Sequence, residues 1–140
     1  MKKQLINLEK NITVGVPEID EQHGRLVNLI GSLSGMCRKR ERVPDINFAM
    51  MIKQNMYFIN FHINYEEKLM EETVYPGLEE HKNFHGNFFK DFLKHIRAFE
   101  SRDRFVPENL PGFLNEWLAL HLLMDRDMGL HIKKSGYPAA

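Results

Sequence analysis

Apolar residues recur at a spacing of three and four positions along most of this chain, which is the pattern of one face of an α-helix. No stretch alternates apolar and polar residues as a strand would, and no internal repeat or low-complexity segment occurs. The pattern therefore predicts an all-α protein. Its four predicted helices cover about residues 18–37, 45–73, 78–100 and 108–133.

The predicted helices are separated by short stretches rich in helix-breaking residues. Pro44 precedes the second helix, Tyr75-Pro76-Gly77 separates the second from the third, and residues 101–107 separate the third from the fourth. Short connections favour antiparallel neighbours, so we predict an up-down-up-down antiparallel four-helix bundle. Residues 1–17 lack helical periodicity and are predicted to form an extended N-terminal arm. The whole chain, 1–140, is predicted to be a single domain.

Polar residues interrupt the apolar faces at one level of the predicted bundle. In His62-x-x-x-Glu66 and His81-x-x-x-His85, the two residues of each pair lie on the same helix face. With a rise of about 1.5 Å per residue, all such residues fall in one layer about 10 Å thick near one end of the bundle. The complete set contains five histidines and two carboxylates: His23, His62, Glu66, His81, His85, His121 and Asp125.

This composition of side chains predicts a metal centre. Burying so many polar groups without a partner would cost more free energy than a small domain has available. Five imidazoles and two carboxylates exceed what one ion binds, and they suit two ions bridged by the carboxylates. Imidazole and carboxylate ligands suit iron, and zinc and manganese are compatible with the same ligand types.

The ordered motifs resemble the hemerythrin family, in particular the single-domain bacterial hemerythrins. The resemblance runs from about Val14 to Gly129. It rests on Val14-Gly15-Val16 with Ile19-Asp20-Glu21-Gln22-His23, on the two pairs above, and on Trp117-Leu118-x-x-His121 followed by an acid. It implies a non-haem di-iron centre, with two iron ions per chain and a bridging oxo or hydroxo group, that binds O2 reversibly.

The resemblance also implies a role for each ligand. One iron would take His81, His85 and His121. The other would take His23 and His62 and keep an open position for O2, while Glu66 and an aspartate of the fourth helix would bridge the two ions. The apolar neighbours of these ligands are expected to form a dry O2 pocket: Ile63, Trp117, Leu118 and Leu122.

The fourth helix departs from the family pattern at the bridging aspartate. The family usually places this residue five positions after its last histidine, and Arg126 occupies that position here. Asp125, four positions after His121, shares a helix face with it, whereas Asp127 is rotated well over half a turn away. Asp125 is the predicted bridge, and Asp127 is the alternative if the helix contains a bulge. Glu67, Glu71 and Glu72 are expected to form the solvated side of the second helix.

Charge and composition restrict the possible partners and locations. Lys plus Arg and Asp plus Glu both total 19, so the net charge is zero and no basic patch indicates nucleic acid or a membrane surface. The chain has one cysteine, Cys37, and shows neither a signal-peptide pattern nor an apolar span, so a cytoplasmic location is expected. The sequence identifies no protein partner.

Three functions are compatible with the predicted centre. Reversible O2 binding for storage, delivery or sensing ranks first, without enzymatic activity. A di-iron enzyme acting on peroxide or nitric oxide ranks second, and an interaction module that senses O2 or iron ranks third. The ferritin-like di-iron oxidases use two Glu-x-x-His motifs, and this sequence contains none.

Overall fold

The structure is a computed structural model of the chain that describes residues 13–39, 44–101 and 106–136. The described residues contain no strand, which confirms the predicted all-α class. The four helices are α1 (Pro17–Arg38), α2 (Asp45–Glu72), α3 (Leu78–Glu100) and α4 (Val106–Lys134).

The four helices form the predicted antiparallel bundle. α1 packs against α2 and α4, and α3 packs against the same two helices, so α2 and α4 lie diagonally across the bundle. The connections are short, and successive helices therefore run in opposite directions. Residues 1–12 of the predicted extended arm lie outside the described residues. Residues 13–16 precede α1, and Pro17 begins it.

The connection from α2 to α3 brings the ends of these helices to the same level. Val74 has a φ of 54°, in the left-handed region that stops a helix. The Tyr75 N–H donates to the Met70 carbonyl at 2.9 Å, and the Val74 N–H donates to the Glu71 carbonyl at 3.2 Å. This pair of bonds is a Schellman motif. Five residues, 73–77, connect the end of α2 at Glu72 to the start of α3 at Leu78.

The apolar core consists of two clusters, and the polar layer lies between them. The larger cluster includes Leu26, Ile59 and Leu118, and the smaller one includes Ile19, Met70 and Met128. On α1, α2 and α4, the polar residues of the predicted metal centre fall in sequence between members of the two clusters. Apolar packing on both sides therefore holds this layer in place.

The segment before α1 is fixed to the bundle by a carboxylate and two glycines. Asp20 accepts hydrogen bonds from the Val14 N–H at 2.6 Å and the Gly15 N–H at 3.3 Å. Gly15 has a φ of +90°, a conformation that strains other residues. A Cβ at Gly129 would lie 2.7 Å from the Val14 carbonyl oxygen, so glycine is what allows α4 to approach this segment.

Candidate metal centre

The structure brings all seven predicted ligands together in the interior of the bundle. α1 contributes one of them, and α2, α3 and α4 contribute two each, so four separate helices build the cluster. Each residue is 1% exposed or less. The seven residues are His23, His62, Glu66, His81, His85, His121 and Asp125.

One half of the cluster is built by α1, α2 and α4. His23 Nε2 lies 2.7 Å from Asp125 Oδ2, and His62 Nε2 lies 2.9 Å from Glu66 Oε2. His121 Nε2 is 2.9 Å from both His62 Nε2 and Asp125 Oδ2. One potential ligand atom from each of these five residues lies within 4.8 Å of all the others. This spacing is compatible with ligands that surround a single ion.

The other half joins α3 to the same two acids. His81 Nε2 lies 2.9 Å from Asp125 Oδ1, and His85 Nε2 lies 3.6 Å from Glu66 Oε1. His121 Nε2 is 3.5 Å from Glu66 Oε1 and belongs to this group as well as to the first. Each carboxylate therefore directs one oxygen toward each half, which is the arrangement that a bridging carboxylate needs.

The two candidate aspartates of α4 have opposite environments. Asp125 is fully buried, and its two oxygens contact histidines from α1, α3 and α4. Asp127 is exposed and is not among the clustered residues. A regular helix thus directs Asp125 inward without the bulge that Asp127 would need.

Two residues outside the predicted set orient the histidines. The His62 Nδ1–H donates to Gln22 Oε1 at 2.7 Å, and the His85 Nδ1–H donates to Glu67 Oε2 at 2.9 Å. Gln22 is buried and Glu67 half-buried, so the expectation that Glu67 is solvated was wrong. Each bond fixes the ring and directs the Nε2 lone pair into the cluster. Outer acceptors of this kind are typical of histidines that bind metals.

The contacts around Glu66 indicate that cations belong in the cluster. Because a neutral His62 keeps its proton on Nδ1 for Gln22, its Nε2 presents a lone pair to Glu66 Oε2, 2.9 Å away. His85, with its Nδ1 proton bound to Glu67, does the same toward Glu66 Oε1. Both Glu66 oxygens and His85 Nε2 are buried without a hydrogen-bond partner. Lone pairs that face each other repel, and a cation between them turns this repulsion into coordination. The residues present therefore fit metal ions.

Without metal, protons are the cations that remain to balance the two carboxylates. Burial lowers the pKa of His23, but the hydrogen bond to Asp125 and the charges of Asp125 and Glu66 outweigh it and raise the pKa to about 9. For His121, the same two carboxylates overcome burial and raise the pKa to about 10. Burial raises the pKa of Glu66, but the charges of His62 and His121 hold it well below 4.5. Burial and the Glu66 charge raise the pKa of Asp125, but His121 keeps it below 3.8.

These pKa shifts predict how the stability of the metal-free protein depends on pH. A raised histidine pKa stabilises the fold fully below the unfolded pKa of 6.5, and this stabilisation disappears as the pH rises through about 9 and 10. The lowered pKa values of the two carboxylates stabilise the fold above about pH 4.5, and this stabilisation is lost as the pH falls below that value. We therefore expect the melting temperature of the metal-free protein to be highest between about pH 5 and 6.5.

Thermal unfolding by circular dichroism, with chelator present, measures this dependence. His23→Gln should flatten the alkaline side of the curve, because it removes one of the raised pKa values. His131→Gln is the matched control, since His131 lies outside the cluster and bonds the Thr73 carbonyl at 2.7 Å. An alkaline slope that survives His23→Gln and vanishes with His131→Gln would contradict this electrostatic account.

The substitution Glu67→Gln tests how much the Glu67 carboxylate, which accepts the His85 Nδ1 proton, contributes to metal affinity. Glutamine can still accept the His85 Nδ1 proton, but it lacks the negative charge that makes the imidazole a stronger ligand. We expect metal affinity to fall by about 10-fold with little change in melting temperature. Competition with a chelator of known affinity measures the change. Glu71→Gln, an exposed position on the same helix that pairs with Lys82, should leave metal affinity unchanged.

The four residues predicted to form the O2 pocket are all buried. Trp117 stacks on the His121 ring, with centroids 4.7 Å apart and planes 28° apart, and its other neighbour is Phe88, with centroids 4.1 Å apart. All four belong to the larger apolar cluster, so apolar packing meets the centre on this side: Ile63, Trp117, Leu118 and Leu122. Whether O2 enters this space stays a prediction.

The fold and the site together define an all-α bundle protein with a histidine-rich, carboxylate-containing candidate metal centre in its core. Residues 14–128 match the model of the Hemerythrin HHE cation binding domain. The chain belongs to the hemerythrin family, which confirms the resemblance seen in its motifs.

Individual relatives agree with this family. A bacteriohemerythrin of Stenotrophomonas maltophilia is 26% identical over 121 residues, which is 86% of this chain and 76% of the relative. A bacteriohemerythrin of Pseudomonas aeruginosa is 27% identical over 117 residues, 84% of this chain and 74% of the relative. A hemerythrin-like protein of Naegleria gruberi is 24% identical over 116 residues, 83% of each chain. No solved structure matches the chain significantly.

Among the helices that the structure describes, none combines the length and apolar character that crossing a bilayer needs.

Proposed function

We propose that this protein binds O2 reversibly at a centre of two iron ions joined by two carboxylates and an oxo or hydroxo group. The observation that carries the proposal is the buried Glu66 carboxylate, which faces imidazole lone pairs in both halves of the cluster. Membership of the hemerythrin family supports iron as the metal. The donor set agrees, because five imidazoles with two carboxylates suit iron.

The proposed ligands divide between the two ions. His81, His85 and His121 would hold one ion, and His23 and His62 would hold the other, which has fewer protein ligands and thus an open position. His121 Nε2 lies 2.9 Å from His62 Nε2 and 3.5 Å from Glu66 Oε1, so it is within reach of both halves. The proposed division requires it to move toward the ion that His81 and His85 would hold. The two carboxylates, Glu66 and Asp125, would bridge the ions.

The irons would supply the electrons that O2 binding requires, and the protein would control their surroundings. Gln22 and Glu67 keep two imidazoles in the tautomer that binds metal. Trp117, packed between Phe88 and His121, helps to exclude water from this side of the centre. Exclusion of water limits the supply of protons that would turn reversible binding into irreversible oxidation.

The composition of the pocket favours binding over catalysis. An enzyme that reduces peroxide or nitric oxide needs an acid to deliver protons beside its open metal position. The proposed pocket residues carry one N–H group, that of Trp117, and no acid or base: Ile63, Trp117, Leu118 and Leu122. Storage, delivery and sensing of O2 all use this same binding step.

Repeated cycles of O2 addition and removal test this function. Iron-loaded protein is reduced without air, exposed to O2 and returned to inert gas while the visible spectrum is recorded. A visible absorption band should form with O2 and disappear when O2 is removed, over several cycles. A band that forms once and does not reverse would contradict the carrier function. Consumption of peroxide or nitric oxide over many turnovers would establish the enzymatic alternative instead.

A further inference from the structure

A groove on the surface of the bundle lies between α1 and α2. Its volume of about 550 Å³ is within the range of small-molecule sites. One aliphatic side chain and three aromatic rings form its apolar lining, and its charged groups are both basic. These six residues are Arg25, Leu29, Lys53, Tyr57, Phe58 and Phe61. The groove therefore combines apolar contact area with positive charge.

No negative charge balances the two cations that line the groove. Arg25 and Lys53 are both exposed, and no described carboxylate forms an ion pair with either of them. The nearest acid in the α1 sequence, Glu21, lies one turn before Arg25. Beyond it, residues 22–38 of α1 and 46–65 of α2 contain no acidic residue. Although the net charge of the chain is zero, this surface therefore attracts anions.

The Arg25 guanidinium is positioned by the apolar wall of the groove. Its Cζ atom lies 4.7 Å from the centre of the Phe58 ring, which is a cation–π contact. Phe58 is buried in the larger apolar cluster, so the ring that supports the guanidinium is itself fixed by packing. The guanidinium N–H groups bond no acceptor among the described residues. Since a guanidinium can donate two parallel hydrogen bonds to a carboxylate or phosphate, Arg25 is suited to hold an acidic group.

The rings of the groove favour a ligand that is itself aromatic. The Phe58 and Phe61 rings have centroids 5.8 Å apart and planes 34° apart. Tyr57 is 78% exposed and Phe61 49%, so much of their ring area is in contact with water. A ligand ring that covers them removes apolar area from water and gains the additional attraction between aromatic groups.

We propose that this groove binds a small aromatic anion, a molecule with one or two rings and a carboxylate or phosphate group. The rings of the ligand would lie on Tyr57, Phe58 and Phe61, and its acidic group would accept hydrogen bonds from Arg25. Lys53, one turn before Tyr57 on α2, adds a second positive charge to the same groove.

Isothermal titration calorimetry of the full chain tests whether the ligand must carry a charge. Naphthoate and naphthyl phosphate are the anionic probes, and naphthamide is a neutral probe with the shape of naphthoate. We expect both anions to bind with a dissociation constant of about 1 mM or lower, and naphthamide to bind at least about 10-fold more weakly. Equal affinities for naphthoate and naphthamide, or no binding of either anion at about 10 mM, would overturn the proposal.

Substitutions in the groove separate the charged contact from the apolar one. Arg25→Gln should weaken naphthoate binding by about 10-fold and leave naphthamide binding unchanged. Phe61→Ala should weaken both probes by a similar factor, because it removes apolar contact without a change in charge. The matched controls are Lys68→Gln and Leu123→Ala, at exposed positions outside the groove, and they should leave both affinities unchanged. Circular dichroism should show the wild-type helical content in all four variants. Unchanged naphthoate binding to Arg25→Gln would place the anion elsewhere and overturn the proposal.

The same titration with and without iron separates this site from the metal centre. No residue that lines the groove belongs to the seven clustered ligands. The naphthoate affinity should therefore be equal in iron-loaded protein and in metal-free protein of the same helical content. Failure of reversible O2 binding would leave this result unchanged. Naphthoate binding that requires iron would assign the anion to the metal centre and overturn the proposal.

Discussion

Glu66→Gln is expected to reduce bound iron from two ions per chain to less than one. Glu66 is fully buried, and its two oxygens face histidines of both halves of the cluster, so one substitution affects both ions. Glutamine keeps the size of the side chain but removes the negative charge. Since outer-sphere substitutions alone lower metal affinity 10- to 100-fold, loss of a bridging ligand should lower it by more than about 100-fold.

Iron analysis of the anaerobically loaded and desalted protein measures this effect. Glu72→Gln is the matched control, because it makes the same chemical change at an exposed position of α2. Circular dichroism should show the same helical content in both variants. If Glu66→Gln retained two ions with wild-type affinity, Glu66 would not be a bridging ligand and the proposed division of ligands would fail.

Asp125→Asn and Asp127→Asn should have opposite consequences. Asp125 is fully buried and reaches both halves of the cluster, whereas Asp127 is exposed. Loss of the Asp125 charge should lower the affinity for iron by about 100-fold or more. Bound iron and any absorption band that depends on two bridged iron ions should then be lost. Asp127→Asn should retain both ions and the wild-type spectrum.

The pair of variants also tests the regularity of α4. A bulge in the helix of the metal-bound protein would rotate Asp127 inward and Asp125 outward. In that case Asp127→Asn would lose iron and Asp125→Asn would keep it. Metal content and the visible spectrum, measured side by side on the two proteins, distinguish these outcomes directly.

Much of the fold and of the clustered residues followed from regular helix geometry. The 3.6-residue period predicted four helices, and the fixed rise per residue predicted that histidines from different helices share one level. The same geometry favoured Asp125 over Asp127, because residues four apart lie on one face. These predictions depend on the spacing of residues within each helix and on short connections that make successive helices antiparallel. Both features can be read from short stretches of the sequence.

The two residues that hold histidine rings from outside the cluster, Gln22 and Glu67, could not be predicted in this way. Glu67 is one residue beyond Glu66 and is rotated by about 100° from it, so its surroundings depend on how closely α3 packs against α2. Gln22 precedes His23, and its contact with His62 depends on the rotation of α1 against α2. Both contacts are set by packing between helices. Adjacency to a predicted ligand was the one local signal for either residue.

The exposed apolar stripe of α2, which includes Ile46, Met50, Tyr57 and Phe61, could not be predicted for a different reason. Helix prediction searches for the apolar side that packs into the core, and on α2 this side contains Phe48, Ile52 and Ile59. The second apolar stripe, which includes Tyr57, lies on the solvent-exposed side of α2. It becomes evident when the exposure of each residue is known.

The number of metal ions that the folded chain binds tests the central claim most directly. Metal-free protein is titrated with Fe(II) under anaerobic conditions, and bound iron is measured per folded chain. The seven clustered residues predict saturation at two ions per chain, with both sites lost in Glu66→Gln. Saturation at one ion, or no binding above the level of nonspecific surface sites, would contradict a two-iron centre and the O2-binding function that rests on it.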